Sequence, residues 1–417
     1  QGSLKPEEIL SKFWLGMTMN TDILPVLLML LKCSGKCRMT LQSIRQLKNL
    51  AGKKIILRVD LNCDVRKGKI VESERIKEHA RTIKFLQDKK AKIVILAHQG
   101  NIGEKTCTSL KQHAKFLNKY VKVKFVFQTI GKKTWLEISK LKNGEALLIE
   151  NVRFIKDEFE PSTSNSFVKF FKEAEFDYYV NDAFSVSHRN QTSIVSFPKV
   201  FPSAIGLVFE EELKNAKKLK SKMKNCLFVL GGAKSKDLMP LLGKGKVLST
   251  GKLSLLCLIA KGYNLGKENA LLKKDFNLIP KIKKHLNKIE IPSDLAVNYR
   301  GKRREFTLDE FPQNYEIWDI GEQTIANYKK EIVKAKAVFF KGAPGMFQEK
   351  GFEKGTKEIL KAIANSKAFS VIAGGQSSDA LKKFHIPKSK FSYVSLSGGS
   401  LVAYLAGEKL SGLEALK

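Results

Sequence analysis

Polar and basic side chains follow the apolar runs in the first half of the chain, at places where strands of a parallel sheet would end. Ligands of open parallel sheets bind just beyond the carboxyl ends of the strands, so these side chains are candidates for chemistry. Arginine beside histidine suits a small phosphorylated acid, because a guanidinium pairs with carboxylate or phosphate oxygens through two parallel hydrogen bonds. The candidates are Asp60, Asn62, His98, Arg153 and Arg189.

The arginines in this set are informative because lysine is the usual basic residue of the chain. Of 75 lysines and arginines together, 11 are arginines. Where lysine is the default, an arginine indicates a position that needs a planar, two-pronged donor. Arg153 and Arg189 are therefore predicted to bind an anion.

Glycine-rich turns follow the strand-like runs in the second half, and they suggest a nucleotide. Backbone N–H groups in such turns can approach phosphates closely. One Gly-Gly pair is more often a tight turn, and a lone histidine is more often packed, so the prediction depends on several such elements meeting at strand ends. The turns are Gly231-Gly232-Ala233-Lys234, Lys341-Gly342-Ala343, Gly374-Gly375-Gln376-Ser377 and Ser397-Gly398-Gly399-Ser400.

A Walker-A loop is excluded. Five residues rather than four separate Gly245 from Gly251, and Leu253 stands where that loop needs Ser or Thr.

The elements that must position these groups alternate between short apolar runs and helical patterns. Strand candidates separated by helices imply parallel sheets covered on both faces. We predict an α/β fold of two doubly wound, Rossmann-like parallel-sheet domains joined by a hinge helix. The expected division is a leader at 1–39, disordered or an upstream extension, a first domain at 40–205, the hinge helix at 206–222 and a second domain at 223–395. The strand candidates are 54–59, 92–97, 122–127, 146–149 and 178–180, then 226–230, 247–248, 336–340, 369–372 and 391–394.

Composition limits the class of protein. The 417 residues suggest two domains, and no apolar run approaches the ~20 residues of a membrane helix. Six scattered cysteines form no disulfide framework, which predicts a reducing, cytoplasmic location. Cys33 and Cys37 are close, but no second pair or nearby histidine completes a zinc set. We expect no metal ligands among the protein's own side chains.

The net charge of +34 favours anionic partners. The lysines are spread over nearly every segment, however, and no basic tail or basic-aromatic motif of RNA-recognition type is present. We therefore expect small anions rather than a nucleic acid as its partners. We also expect a monomer that has no membrane as its partner.

The order of motifs resembles that of phosphoglycerate kinases, with the sequence most similar to the archaeal branch. The resemblance runs from about Leu41 to Lys417. Its pieces are Arg58-Val59-Asp60-Leu61-Asn62, Ala97-His98-Gln99-Gly100, Glu150-Asn151-Val152-Arg153-Phe154, Asn181-Asp182-Ala183-Phe184, His188-Arg189, Gly231-Gly232-Ala233-Lys234, Lys261-Gly262-Tyr263, Trp318-Asp319-Ile320-Gly321, Gly355-Thr356-Lys357 and Leu405-Ala406-Gly407-Glu408.

The resemblance implies reversible phosphoryl transfer between ATP and 3-phosphoglycerate, with Mg²⁺, in glycolysis and gluconeogenesis. Arg75 would stabilise the transferring phosphoryl group, together with Lys234 and the Gly398-Gly399 turn, and segment 396–417 would return to pack on the first domain. The implied phosphoglycerate ligands are Asp60, Asn62, Arg75, His98, Arg153 and Arg189. The implied ADP and ATP ligands are Gly231, Gly232, Ala233, Lys234, Lys341, Gln348, Gly374, Gly375, Gln376 and Ser377.

Several positions depart from the family pattern. Loss of a ribose or metal ligand weakens nucleotide binding, and loss of a phosphate lysine weakens stabilisation of transition-state charge. The departures are Asn101 for Arg, Leu238 for a second Lys, Lys341 for Asn, Gln348 for Glu, Gln376 for Asp or His, and Leu396 and Ser397 for Thr and Gly.

Two functions of different class follow, a working phosphoglycerate kinase or a catalytically impaired homologue that binds anionic metabolites or another partner. The retained arginines Arg75, Arg153 and Arg189 favour the enzyme, whereas the missing nucleotide-side groups favour the impaired homologue. Positions 234 and 238, four apart at a predicted helix start, are expected to face the same phosphate region, whereas Lys236 would point away. We hypothesise that Lys341 supplies the charge that Leu238 lacks. The alternative is that Lys341 is one more solvated lysine.

Overall fold

The structure is a computed structural model that describes residues 41–417, and one compact unit, Gln42–Leu416, contains all the elements below. The leader predicted at 1–39, with Cys33 and Cys37, lies outside the described residues. The four cysteines within them, Cys63, Cys107, Cys226 and Cys257, are free thiols.

The first half of the described chain folds around a parallel sheet. Its strands are β1 (Lys54–Arg58), β2 (Val65–Arg66), β3 (Lys69–Ile70), β4 (Lys92–Leu96), β5 (Lys124–Phe125), β6 (Ala146–Leu148), β7 (Tyr178–Asn181) and β8 (Ser203–Ile205). Its helices are α1 (Glu74–Asp88), α2 (Lys111–Leu117), α3 (Lys132–Ser139), α4 (Ser166–Glu173) and α5 (Thr192–Val195). The sheet order is β5-β6-β4-β1-β7-β8, and β2 and β3 form a separate hairpin. We call this sheet and its helices the first lobe.

Alternation along β1 explains why both faces of this sheet are covered. Ile55 and Leu57 pack in one core with Ile83 of α1, whereas Ile56 packs in another with Phe171 of α4. Successive side chains of a strand point to opposite faces, so an uninterrupted apolar run requires a buried layer on each side. The predicted parallel arrangement is confirmed here.

The second half forms another parallel sheet and a smaller antiparallel sheet, whose strands lie within residues 294–320 of the chain. Its strands are β9 (Cys226–Leu230), β10 (Val247–Ser249), β11 (Ile289–Glu290), β12 (Asp294–Tyr299), β13 (Lys302–Thr307), β14 (Ile317–Ile320), β15 (Ala337–Lys341), β16 (Phe369–Ala373) and β17 (Tyr393–Ser395). Its helices are α6 (Leu207–Ser221), α7 (Gly251–Lys261), α8 (Lys267–Leu272), α9 (Ile279–Lys283), α10 (Glu322–Lys334), α11 (Lys354–Asn365), α12 (Gly375–Lys383), α13 (Gly399–Ala406) and α14 (Ser411–Glu414).

The order of the second parallel sheet is β11-β10-β9-β15-β16-β17, the arrangement of a doubly wound fold. The chain reverses direction across the sheet between β9 and β15, which opens a crevice at their carboxyl ends. This sheet with α7 to α12 is the second lobe. Helix α6 connects the two parallel sheets in sequence.

The antiparallel sheet, in the order β13-β12-β14, was not predicted. Strand β13 reads Lys-Arg-Arg-Glu-Phe-Thr, and Phe306 is its buried residue. A strand with so few apolar side chains has no hydrophobic pattern from which it could be predicted. It is held in the sheet by its antiparallel pairing with β12.

The turn after β9 also differs from expectation. Residues Ser235–Leu241 form a 3₁₀ helix with Pro240 inside it, rather than the start of an α-helix. Leu238 is buried at 1% exposure, whereas Lys234 and Lys236 are exposed. The expectation that positions 234 and 238 face the same phosphate region is therefore wrong, because Leu238 packs in the interior.

Candidate active site

The carboxyl ends of the two parallel sheets line one cleft of about 510 Å³. It contains most of the residues singled out from the sequence. The first lobe contributes Asp60, Asn62, Arg75, His98 and Arg189, and the opposite wall contains Gly231, Gly232, Ala233, Lys234, Lys341, Gly374, Gly375, Gln376, Ser377, Gly398 and Gly399. Two predicted residues, Arg153 and Gln348, are not among its lining.

Asp60, at the end of β1, organises the acceptor side of the cleft. Its Oδ2 contacts the Arg75 guanidinium and accepts a hydrogen bond from Ser185, while its Oδ1 accepts one from the Asn62 backbone N–H at 3.0 Å. Arg75 Nη2 also donates to the Leu396 carbonyl at 2.9 Å. Burial lowers the pKa of Arg75 to about 10, so the guanidinium stays charged near neutral pH. Arg75 thus joins the first lobe to the segment after β17.

His98 is held in one tautomer by a residue that the sequence analysis did not select. Arg58, fully buried in β1, lies with Nη2 3.2 Å from His98 Nδ1. A guanidinium can only donate, so Nδ1 accepts and the ring proton resides on Nε2. Burial, and then the charge of Arg58, hold the pKa of His98 well below its ordinary value. His98 therefore offers the cleft a neutral N–H donor.

Arg58 is itself supported by a buried acidic group. Its Nε donates to Ser193 Oγ at 2.8 Å, and Ser193 donates from Oγ and N to the two oxygens of Glu158 at 2.7 and 2.9 Å. Burial raises the pKa of Glu158 to about 7 against the opposing charge of Arg58. The scarcity of arginine could have marked Arg58 in the sequence, but its partners are distant along the chain, so its contact with His98 could not be predicted.

A second buried chain links Asp60 to helix α6. His79 Nε2 accepts the Asp60 backbone N–H at 3.3 Å, and Nδ1 lies 2.8 Å from Asp182 Oδ2. Because Nε2 accepts a backbone proton, Nδ1 carries the hydrogen and donates it to Asp182. Asp182 Oδ1 in turn accepts the N–H groups of Val208 and Phe209, at 2.8 and 3.3 Å, in the first turn of α6.

Arg153 lies deeper than the cleft. It is buried, and its Nη1 donates to the Gly100 carbonyl and, at 2.7 Å, to Asn101 Oδ1, while Nε is buried without a partner. Asn101, a departure from the family pattern, therefore holds the guanidinium of Arg153.

Close approach of two backbone turns shapes the nucleotide side. Gly342 has φ +84°, and a Cβ added to it would lie 2.2 Å from the Gly231 carbonyl oxygen. Gly232 has φ +76°, and its Cβ would lie 3.2 Å from the Gly342 Cα. Both positions therefore require glycine, because a side chain would be strained and would separate the ends of β9 and β15.

A second cavity of about 360 Å³ adjoins the cleft at this turn. Gly232, Ala233 and Gln376 line both spaces. The rest of its wall is mostly apolar and includes Leu255, Leu272, Leu295, Trp318, Pro344, Met346 and Phe347, with Gln348 as a polar member. An apolar cavity next to a glycine-rich turn could hold the base and sugar of a nucleotide whose phosphates enter the cleft.

Acidic groups are sparse on this side. From the second lobe, Asp237 and Asp379 are the carboxylates that line the cleft. Within residues 41–417, no group of three or more His, Cys, Asp or Glu is arranged to hold a metal ion. No helix of the described region is long and apolar enough to cross a membrane.

The fold and the cleft together define a class, that of two-lobed α/β phosphotransferases with an arginine–histidine set facing a glycine-rich phosphate turn. Residues 44–408 match the family model described as Phosphoglycerate kinase. The chain belongs to the phosphoglycerate kinase family, whose members are kinases with a carboxyl group as phosphoryl acceptor.

Relatives and solved structures agree with this assignment. The phosphoglycerate kinase of Methanothermus fervidus is 36% identical over 390 residues, covering 88% of this chain and 95% of the relative. That of Sulfurisphaera tokodaii is 38% identical over 394 residues, covering 88% and 94%. The crystal structure of phosphoglycerate kinase from Pyrococcus horikoshii OT3 superposes with a TM-score of 0.83 at 32% identity, over 90% of this chain and 98% of that one. The predicted resemblance to archaeal members is confirmed.

Proposed function

We propose that this chain transfers a phosphoryl group reversibly between ATP and 3-phosphoglycerate. The observation that carries the proposal is the single cleft in which Asp60, Arg75, His98 and Arg189 face the turn that ends in Lys234. Donor and acceptor bound to opposite walls would lie in line for direct transfer.

The acceptor wall binds and orients the phosphoglycerate. Arg189 and neutral His98 donate to its oxygens, and Arg75, fixed by Asp60 and the Leu396 carbonyl, faces the reacting centre. In the transfer step, the bond between the γ-phosphorus and the bridging oxygen of ATP breaks while a bond to an acceptor carboxylate oxygen forms. Because a carboxylate is already deprotonated, the step requires no general base.

The nucleotide wall holds the donor. Backbone N–H groups of the Gly231–Ala233 turn and the Lys234 ammonium bind phosphates, and the adjoining apolar cavity receives the base. Gln348 is placed in that cavity, where its amide can bond to ribose hydroxyls.

The residues present fit a Mg²⁺ ion carried mainly by the nucleotide. Mg²⁺ usually keeps several waters and binds through one or two carboxylates plus substrate phosphates. Asp237, on this wall of the cleft, would be one such carboxylate, and Gln376 would offer an amide oxygen. The ion supplies charge neutralisation of the phosphates.

The proposal extends to the organisation of the molecule. Helix α6 would act as the hinge between domains 40–205 and 223–395. Segment 396–417 would belong to the first domain, and its contacts support this. The Gly412 N–H donates to the Ser187 carbonyl at 2.8 Å, and Ser400 Oγ lies 2.6 Å from His188 Nδ1. We further propose a monomer in the cytoplasm.

A coupled assay with ATP, Mg²⁺ and 3-phosphoglycerate on the full chain tests the function. We expect turnover, and we expect Arg75→Met to reduce it about 10²-fold or more with little change in nucleotide affinity. Binding of both ligands without turnover would instead support the catalytically impaired homologue.

A further inference from the structure

Lys341 is the last residue of β15 and lies beside the crevice where the second sheet reverses direction. Its side chain lines the cleft with Lys234 and the Gly398-Gly399 turn. A Cβ added to Gly398 would lie 3.7 Å from the Lys341 Cε. The end of the aliphatic stem therefore lies near Gly398, on the wall of the cleft between the two lobes.

The surroundings of this ammonium group are unfavourable without a further anion. Burial lowers the pKa of Lys341, and the charge of Lys234 lowers it again, while Asp237 opposes both. Among residues 41–417, the structure shows no hydrogen bond or ion pair to the Lys341 ammonium. A half-buried cation next to another cation costs free energy unless a negative ligand offsets it.

Neighbouring lysines do not occupy an equivalent position. Lys236 is exposed and is not among the residues that line the cleft. Position 238 cannot take this role either, since Leu238 packs in the interior.

We propose that Lys341 is a catalytic residue that binds the phosphoryl group during its transfer, from the side of the Gly398-Gly399 turn. The proposal rests on the proposed function and adds a specific group to it. Negative charge in phosphoryl transfer is spread over the three equatorial oxygens, so a second ammonium near Lys234 stabilises it as it develops. In this role Lys341 acts as a fixed positive charge and transfers no proton.

Three variants separate this role from that of a solvated lysine. Lys341→Met keeps the length of the stem and removes the charge, Lys341→Arg keeps the charge, and Lys236→Met is the matched control on an exposed lysine. Thermal unfolding of each variant verifies that it is folded. We expect Lys341→Met to lower kcat about 10²-fold with the KM for 3-phosphoglycerate within about threefold of the original. Lys341→Arg should retain kcat within about tenfold, and Lys236→Met should leave it unchanged.

A binding measurement without turnover provides the second readout. Calorimetric titration with ATP and with ADP, both without metal, should show that Lys341→Met weakens ATP binding about tenfold and leaves ADP binding nearly unchanged. Unchanged kcat in Lys341→Met would overturn the inference while leaving the proposed function intact. If the unmodified chain shows no turnover, the proposed function fails, and the titration alone decides. Selective loss of ATP affinity would support the role of Lys341 in phosphate binding, and equal affinities would overturn it.

Discussion

Buried histidines make the stability of this protein depend on pH at the scale of single residues. His113 in α2 is fully buried, and its Nε2 lies 3.0 Å from Gln99 Oε1. Burial lowers the pKa of His113 to about 4. In the unfolded chain it takes up a proton near its ordinary pKa of 6.5, so acid favours the unfolded state.

The free energy of unfolding should therefore fall as the pH is lowered from about 6.5 to 4, by about 3 kcal/mol from this residue. Below pH 4 both states are protonated, and the contribution no longer changes. Urea denaturation at a series of pH values measures the profile. His113→Asn should flatten it, and His285→Asn, on a less buried histidine, serves as the control. An unaltered profile in His113→Asn would contradict the assignment.

Arg153 provides a test of the fork argument. Lysine can reach one of the two acceptors, Gly100 or Asn101, but it cannot bond to both, so the loop that follows His98 would lose part of its support. We expect Arg153→Lys to weaken 3-phosphoglycerate binding about tenfold in calorimetry. Arg81→Lys, an exposed arginine of α1, should bind as the original does. Equal affinity for Arg153→Lys would show that the planar fork is not needed.

The sequence could predict the site residues that follow strands, such as Asp60, Asn62 and His98, because the carboxyl ends of parallel strands lie at the same edge of the sheet. It could not predict the role of Arg58 in holding His98. A single charged residue within an apolar run forms no repeating pattern. Its partners Ser193 and Glu158 are far from it in sequence and come close only in the folded chain.

At the scale of elements, the first turn of α6 is tied to the acceptor side of the cleft. Asp182 accepts two backbone N–H groups of that turn and the imidazole N–H of His79, whose other nitrogen accepts the Asp60 N–H. Glu212 on the same helix accepts hydrogen bonds from the Ser395 hydroxyl at 2.6 Å and from the Leu396 N–H at 2.7 Å. Movement of α6 would therefore displace both partners of Arg75, which are Asp60 and the Leu396 carbonyl.

Asp182→Asn removes the charge while keeping the shape. We expect it to lower the free energy of unfolding by about 1–3 kcal/mol, because three buried donors lose a charged acceptor. The KM for 3-phosphoglycerate should rise as well, since the loop at Asp60 loses its support. Chemical denaturation and steady-state kinetics measure the two effects. Asp88→Asn, in an exposed pair with Lys84, should change neither.

Strand β9 was predicted with the bounds that the structure shows, because its run is apolar and buried throughout. The antiparallel sheet and the 3₁₀ helix at Ser235–Leu241 were not. Strand β13 of that sheet has a single buried residue and therefore no apolar pattern to detect. In the 3₁₀ helix, Pro240 lacks the backbone N–H that an α-helix needs at that position.

At the scale of the whole molecule, the two lobes already meet through charged contacts. Glu74 at the start of α1 pairs with Lys388 at 2.9 Å and with Lys382 at 3.7 Å. Arg75 and Arg189 line one wall of the cleft between the lobes, and Lys234 and Lys341 line the other, so an anionic ligand bound there is attracted to both walls.

We expect both ligands together to compact the molecule more than either does alone, because together they bridge the cations of the two walls and transfer requires that water be excluded. Small-angle scattering with 3-phosphoglycerate, with ADP and with both measures the radius of gyration. The single-ligand samples are the controls. A radius with both ligands that equals the smaller single-ligand value would exclude ligand-driven closure.

The contacts of α13 and α14 with the first lobe also affect how the protein is made. Residues 184–195 leave the ribosome about 200 residues before 399–414, which corresponds to a delay of roughly 10–40 s at ordinary rates of synthesis. During that interval the surface around Ser187 and Ile194 has no cover, although Gly412 fits against both in the finished protein. The first lobe is therefore begun well before the segment that completes it is synthesised, and until then the nascent chain exposes an apolar surface.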